Sequence, residues 1–286
     1  MSHAIAVQPL SPFGALVDLD LAREPAPDLG RELARLLYAH QVLVFCGQRL
    51  DAQQHLRVNS YFGPIPEDGV EITSNDPTVG AQGSIALAFH SDLAFAPEPD
   101  LGASLYALDL VPDVSSTSFA SALNAYAKLP AALKARIAGL EALSVFPIDQ
   151  TRRNRAAGLR PEDPRSAHPV AWTHPVTGQP LLYLTQMQTD CILGLPEAES
   201  EALIEELFGY LFAPDNILEH RWRVGDLVVW DNRATQHGRR DVSQVGIRTM
   251  RRISISRRSF REQFPQFQVQ ASGFIDRRHE GAAAVG

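Results

Sequence analysis

"GDLVVWDNRATQHGRR", residues 225–240, starts as a strand and ends as chemistry. The apolar run Leu227 to Trp230 has the look of a buried strand, and it breaks into a polar turn of Asp231, Asn232 and Arg233 before reaching His237. A histidine placed just past a core strand is well positioned to act as a ligand. The stretch "AFHSDLAFAP", residues 88–97, offers two partners, His90 and Asp92, inside another apolar run. On a strand, side chains at i and i+2 share a face, so this pair is expected to project together from one rigid element. Taken alone, the tripeptide also fits a hydrogen-bonded pair at a strand end. With His237, however, two histidines and a carboxylate without a nearby cysteine form the facial set that leaves open positions on non-haem Fe(II). Zinc accepts the same ligands.

The chain has 286 residues, 45% hydrophobic and 21% charged, an ordinary composition for a folded protein with a sizeable core. A net charge of −7 leaves no general basic footprint, so nucleic acid is set aside as a partner. "MSHAIAVQPLSPFGALVDLD" lacks a basic n-region and an apolar h-region, and no stretch reaches the roughly 18 apolar residues of a membrane span. The expectation is a cytoplasmic protein with no membrane partner. Cys46 and Cys191 are isolated and read as packing thiols. His3, His40, His55, His168, His174, His220 and His279 lie in unremarkable contexts.

Along the chain, "DLGRELARLLYAHQVLVFCGQ" reads as a helix feeding a strand, and "DAQQHLRVNSYFGPIP" as a second helix with Asp51 as its N-cap. Short strands are expected from Glu71 to Pro99, a strand in "DLGASLYALDLVP", and a strand passing into helices broken by Pro130 in "SSTSFASALNAYAKLPAALKARIAGL". "VAWTHPVTGQPLLYL" predicts a hairpin around Thr177-Gly178, and "PEAESEALIEELFGYLF" a surface helix. "HRWRVGDLVVWDN" predicts two strands about a Val224-Gly225-Asp226 turn, and "GIRTMRRISISRRSF" a strand of alternating apolar and basic residues. "TRRNRAAGLRPEDPRSAHP", residues 151–169, has five arginines and three prolines and reads as an exposed connection, with a mobile lid as one role. No repeat or linker divides the chain. One domain over residues 1–286 is expected, a strand-rich core with helices packed outside and a frayed "EGAAAVG" tail.

These motifs together resemble the taurine dioxygenase (TauD/TfdA) family of Fe(II)- and 2-oxoglutarate-dependent dioxygenases, over roughly residues 10–260. "FHSDLAF" is similar to that family's H-x-D segment, "HPVAWTHPVTGQPLLYL" to its middle hairpin, "GLPEAES" to its helix start and "WDNRATQH" to its distal histidine motif. The resemblance implies a mainly β fold with flanking helices, a double-stranded β-helix or jelly-roll core. It implies Fe(II) on His90, Asp92 and His237, with 2-oxoglutarate and O2 as co-substrates. Thr117 and Arg248, the latter eleven residues after His237, match the family's holders of 2-oxoglutarate. Arginine suits that task because its planar fork meets a carboxylate at two points.

Arg252, four residues further on, matches the arginine that anchors an anionic substrate group, and the even spacing on a strand lets both arginines face one pocket. Leu93 and Phe95 are candidate pocket walls, whereas Arg251, Arg257 and Arg258 read as a solvated face. The implied reaction is decarboxylation of 2-oxoglutarate to succinate and CO2 coupled to hydroxylation, oxidative cleavage or desaturation. Asp92 keeps the carboxylate position filled, which disfavours halogenation. Taurine dioxygenase has a histidine after its "FG" turn, but "YFGPIPEDGVEIT" has none, so a larger, more apolar carboxylate such as an aryl or acyl acid or a modified amino acid is expected. A zinc hydrolase and a silent jelly-roll binding protein remain the alternatives, and a homo-oligomer, dimer or tetramer, is left open.

Overall fold

A computed structural model describes residues 5–23 and 26–267, so the C-terminal tail singled out above lies outside the described residues. Two sheets form the core. The larger has eight strands in the order Ala6–Pro9, Ala15–Asp18, Val42–Phe45, Leu227–Asp231, Gly102–Leu110, Arg248–Ile255, Val70–Ser74 and Ala81–Gln82. The smaller has four, ordered Ile217–Arg221, Ser116–Ser121, Thr235–Arg239 and Leu87–His90.

From Leu87 onward the core strands pass back and forth between the two sheets along the chain, except that Ser116–Ser121 and Ile217–Arg221 follow one another in the smaller sheet, which is the jelly-roll pattern. The Val224-Gly225-Asp226 turn therefore does not close a hairpin: it carries the chain from Ile217–Arg221 in one sheet to Leu227–Asp231 in the other. Gly225 is required there, since its φ is +86° and a Cβ would meet the Gln48 carbonyl oxygen at 2.7 Å.

Period-two alternation divides each central strand between two cores. Val42, Val44, Leu105, Val228, Trp230 and Met250 face inward and pack on Phe119 and Leu218 of the smaller sheet. Leu43, Phe45, Tyr106, Leu227, Val229 and Ile255 face outward, where helices cover them. The first of these, Leu29–His40, buries Leu33, Leu36 and Leu37 at helical spacing. The second, Ala52–Ser60, starts at a capping box in which Asp51 accepts from Gln54 N and Gln54 reaches back to Asp51 N. A third cluster gathers the helices Ala122–Lys128, Ala131–Ile137 and Glu197–Leu211 around Leu181 and Leu184. Among the described residues, no helix is long and apolar enough to cross a membrane.

Residues 151–169 are in large part exposed, as expected, but parts of the segment are anchored to the fold. Arg153 is bound to Glu201 at 2.5 Å and to the Thr189 and Asp190 carbonyls, and Arg155 meets Glu201 at 2.5 Å. Asn154 is buried on the Met187 carbonyl, and Arg165–Pro169 pairs as a strand with Glu141–Val145. Two of the five arginines, Arg153 and Arg155, are thus tied to the acidic helix Glu197–Leu211, and no residue from 151 to 169 lines the large cavity described below. Arg251 differs from the sequence reading. It is buried on the outer face, where its guanidinium donates to His55 Nδ1 at 3.0 Å and to the Leu50 and Asp51 carbonyls. Arg257 and Arg258 are exposed, as expected.

Candidate metal centre

His90 and His237 are direct partners across the Leu87–His90 and Thr235–Arg239 pair, with ring centroids 4.2 Å apart. Asp92 completes the group: its Oδ1 is 3.9 Å from His90 Nε2 and its Oδ2 3.9 Å from His237 Nε2. The donor atoms of all three lie within 4.8 Å of one another. The strand, however, ends at His90, so Asp92 reaches the site from a turn and not from the i+2 position of a strand.

Asn232 holds that turn. Its Oδ1 accepts from Asp92 N at 2.8 Å, while its Nδ2 donates to the Asp92 and Asp100 carbonyls at 2.9 and 3.0 Å. Leu93, immediately after, has φ +55°, a conformation a leucine adopts only when its surroundings impose it. Asn232 is in turn presented by Asp231, whose Oδ1 accepts from Arg233 N and Ala234 N and whose Oδ2 accepts from His174 Nε2 at 2.9 Å. His174, buried to 2% exposure, is part of the site's support and was not distinguishable by sequence context.

The protonation states suit metal binding. His90 Nδ1 must donate to the Ala88 carbonyl at 2.9 Å, which leaves Nε2 bare toward the site. Burial lowers the pKa of His90, and burial with His90 alongside takes His237 down to about 3, so both are neutral ligands at pH 7. Burial alone would raise the Asp92 carboxyl, but Arg252, whose Nη2 is 2.9 Å from Asp92 Oδ2, outweighs it and holds the pKa below the usual range.

Beside the three donors lies a cleft of about 40 Å³ lined by Thr73, Leu105, Thr117, Arg239, Arg248 and Arg252, among others. Arg248, 4% exposed, has its Nε and Nη2 buried without a partner, and burial, with Arg239 near it, lowers its pKa to about 9. Trp222 Nε1 donates to Thr117 Oγ1 at 3.0 Å, so the threonine hydroxyl hydrogen is left to give to something else. A buried guanidinium with idle donors and a hydroxyl donor in one narrow cleft fit a carboxylate. Arg239, whose Nη2 also donates to the Gly83 carbonyl at 3.0 Å, adds to Arg248 and Arg252 a third cation, one that the sequence reading did not single out.

On the other side of the donors opens a cavity of about 840 Å³, lined by Leu93, Phe95, Phe146 and Phe260 with Arg252, Glu71, Asp100 and others. Leu93 and Phe95 do line it, although Phe95 is only 5% exposed and packs edge-on to Phe146. Two neutral histidines, one ionised carboxylate, a cleft fit for a carboxylate and an aromatic chamber thus lie together, an arrangement able to hold a divalent metal with an acid on one hand and an apolar molecule on the other.

The family described as "Taurine catabolism dioxygenase TauD, TfdA family" matches residues 6–254. The chain belongs to it. It is 31% identical over 266 residues to the (S)-phenoxypropionate/alpha-ketoglutarate-dioxygenase of Sphingobium herbicidovorans, covering 83% of this chain and 90% of that one. To the alpha-ketoglutarate-dependent 2,4-dichlorophenoxyacetate dioxygenase of Cupriavidus pinatubonensis it is 29% identical, covering 84% and 94%. A crystal structure of a taurine dioxygenase from Burkholderia xenovorans superposes with a TM-score of 0.77 at 26% identity, covering 89% and 91% of the two chains. AAD-2 in complex with Mn(II) and N-oxalylglycine gives 0.76 at 27% identity, covering 90% and 99%. The family uses Fe(II), 2-oxoglutarate and O2, as the sequence resemblance implies.

Proposed function

We propose that this chain oxidises a small carboxylate with an apolar body, His90, Asp92 and His237 holding Fe(II) while Arg248 and Thr117 receive the distal carboxylate of 2-oxoglutarate. When bound, the iron and 2-oxoglutarate together activate dioxygen, yielding succinate, CO2 and an oxidised C–H bond in the substrate. The chain's own residues do the rest. His90 and His237 present neutral nitrogens, and Asn232 fixes the backbone of Asp92 so that its carboxylate stays on the histidines. Arg252 compensates the Asp92 charge and stands between the narrow cleft and the wide cavity, where it meets the substrate carboxylate. Leu93, Phe95, Phe146 and Phe260 supply an apolar wall that excludes water from the reacting end.

The observation that carries this reading is Arg248, a buried cation with two unpartnered nitrogens beside a ready facial ligand set. A zinc hydrolase has no use for it, and its retention together with all three ligands argues against a silent binding fold. Substrates named for the relatives, phenoxypropionate and 2,4-dichlorophenoxyacetate, support a carboxylate with an aromatic body. The same reading has the protein work in the cytoplasm, where 2-oxoglutarate and Fe(II) are supplied. Anaerobic titration of apoprotein with Fe(II) and 2-oxoglutarate tests the assignment: a visible charge-transfer band is expected, followed by succinate release with aryl carboxylates in air. A folded protein that gives no band overturns it.

A further inference from the structure

The large cavity is more acidic than a site for a plain anion would be. Besides Asp92 it is lined by Asp68, Glu71 and Asp100, against Arg252 and Arg261. Both arginines are already engaged. Arg252 Nη2 lies 2.9 Å from Asp92 Oδ2 and 3.9 Å from Asp100 Oδ2, and Arg261 Nε lies 3.7 Å from Asp68 Oδ2. Glu71 is different: its Oε1 is buried and accepts no hydrogen bond. Gln188, 2% exposed, lines the same cavity and spends its Nε2 on the Ser91 carbonyl at 3.0 Å, which leaves its Oε1 without a donor. Unsatisfied acceptors on the walls of a binding cavity favour a ligand that donates hydrogen bonds.

Strand register narrows the ligand further. Glu71, on Val70–Ser74, is the direct antiparallel partner of Arg252 on Arg248–Ile255. Directly opposed residues point to the same side of a sheet with Cβ atoms about 4.5–5.5 Å apart. One wall of the cavity therefore presents a carboxylate and a guanidinium side by side, next to the iron ligands. A molecule with a positive and a negative group on adjacent atoms is complementary to that wall, and a simple anion is not. Burial pushes the Glu71 carboxyl up to about 7 against the pull of Arg252, and a cation beside it would restore its charged form.

We infer that the substrate is a 2-ammonio carboxylate with an apolar body, Glu71 receiving the ammonium group, Arg252 the carboxylate, and the Phe95, Phe146 and Phe260 wall the side chain. The inference rests on the dioxygenase reading and names its substrate class. Arg252 can serve because its guanidinium has five N–H donors, of which the contacts to Asp92 and Ser254 Oγ use only part.

The experiment pairs amino acids with their des-amino counterparts: phenylalanine with 3-phenylpropanoate and tryptophan with indole-3-propanoate, both configurations of each amino acid included. Wild type, Glu71→Gln and Glu71→Ala are first titrated with Fe(II) and 2-oxoglutarate without oxygen. The charge-transfer band reports that each variant is folded and that the dioxygenase reading stands, and its absence from wild type would overturn that reading instead. Each probe is then scored by its shift of the band and by kcat/KM for succinate release. At least one amino acid is expected to exceed its des-amino partner by about tenfold or more in wild type, with the ratio collapsing in both Glu71 variants. With the band present, des-amino acids that bind and react as well as the amino acids overturn the inference. So does a panel in which no amino acid acts, or an amino-acid preference that survives loss of the Glu71 charge.

Discussion

The two hollows that meet at His90, Asp92 and Arg252 are built in different ways. The cleft of about 40 Å³ draws its polar side chains from core strands: Thr117 from Ser116–Ser121, Arg239 from Thr235–Arg239, Arg248 from Arg248–Ile255. Sheet register sets their spacing, and one fit is admitted. The cavity of about 840 Å³ draws mostly on connections, including Pro66, Asp68 and Gly69, residues 77–80, and Phe146, Pro147 and Gln150, with Phe260 and Arg261 from the short helix Phe260–Gln263. Those can change length and chemistry without disturbing the strands. The lesson is a division of labour, in which the strands hold what every turnover needs and the connections hold what distinguishes one substrate from another.

If that division is right, damage at the shared ligands should be total and damage in the cleft specific to 2-oxoglutarate. His237→Ala removes a donor that no neighbour can replace, and succinate release is expected to fall by about a thousandfold or more with loss of the charge-transfer band. Arg248→Ala should leave the band attainable but demand about a hundredfold more 2-oxoglutarate, the worth of one two-point charge-assisted contact. Arg248→Lys, keeping the charge but losing the fork, should recover only part of that affinity. An equal rise in substrate KM for Arg248→Ala would break the proposed separation.

The two hollows were also unequally readable in the sequence. His90, His237, Thr117 and Arg248 stand on strands at spacings that match the resembled family's motifs, and Asp92 was legible from its place beside His90 although it sits on a turn. The role of Asn232 was hidden although it lies inside the most specific string, because it acts on Asp92 across 140 residues of chain. Arg251 was misread for a related reason. Alternation shows that it faces away from Arg252, but not that the helix Ala52–Ser60 covers that face and supplies His55. The partners of Arg153 and Arg155 were hidden because composition reports polarity, whereas Glu201 on Glu197–Leu211 meets them only in the fold.

Smaller effects sharpen the boundary between the hollows. Asn232→Ala removes two hydrogen bonds from the Asp92 backbone and one from Asp100, and is expected to weaken Fe(II) binding by about tenfold, within the range for residues that orient ligands. Direct metal titration checks this, and unchanged affinity would mean that Leu93 and its neighbours hold the turn unaided. Phe260→Ala, which opens the cavity wall, should raise the KM of an aryl substrate about tenfold while leaving the 2-oxoglutarate requirement alone. A matching rise in the 2-oxoglutarate requirement would show that the two hollows are mechanically coupled.

The smallest effect lies on the outer face of the strand that carries Arg248 and Arg252. His55 is fully buried there, its Nδ1 accepting from Arg251 and its Nε2 giving to Ser104 Oγ at 2.9 Å. Burial first, and the Arg251 charge second, lower its pKa from 6.5 to about 3. The unfolded chain therefore takes up a proton near pH 6.5 that the folded chain refuses until about pH 3. Between those values the unfolded state binds more protons, so stability falls as pH falls, by up to about 1.4 kcal/mol per unit from this one group. His55→Gln deletes the titration, so the acid-side slope of melting temperature against pH should become shallower even if the variant starts lower at pH 7.5. The inner face predicts no such change in its own readout: with His90 and His237 untouched, the 2-oxoglutarate requirement at pH 7.5 should stay within about twofold of wild type, a shift too small to count as a lost contact. A larger loss would mean that Arg251 transmits its position through the strand to Arg252, and that the outer face belongs to the catalytic apparatus.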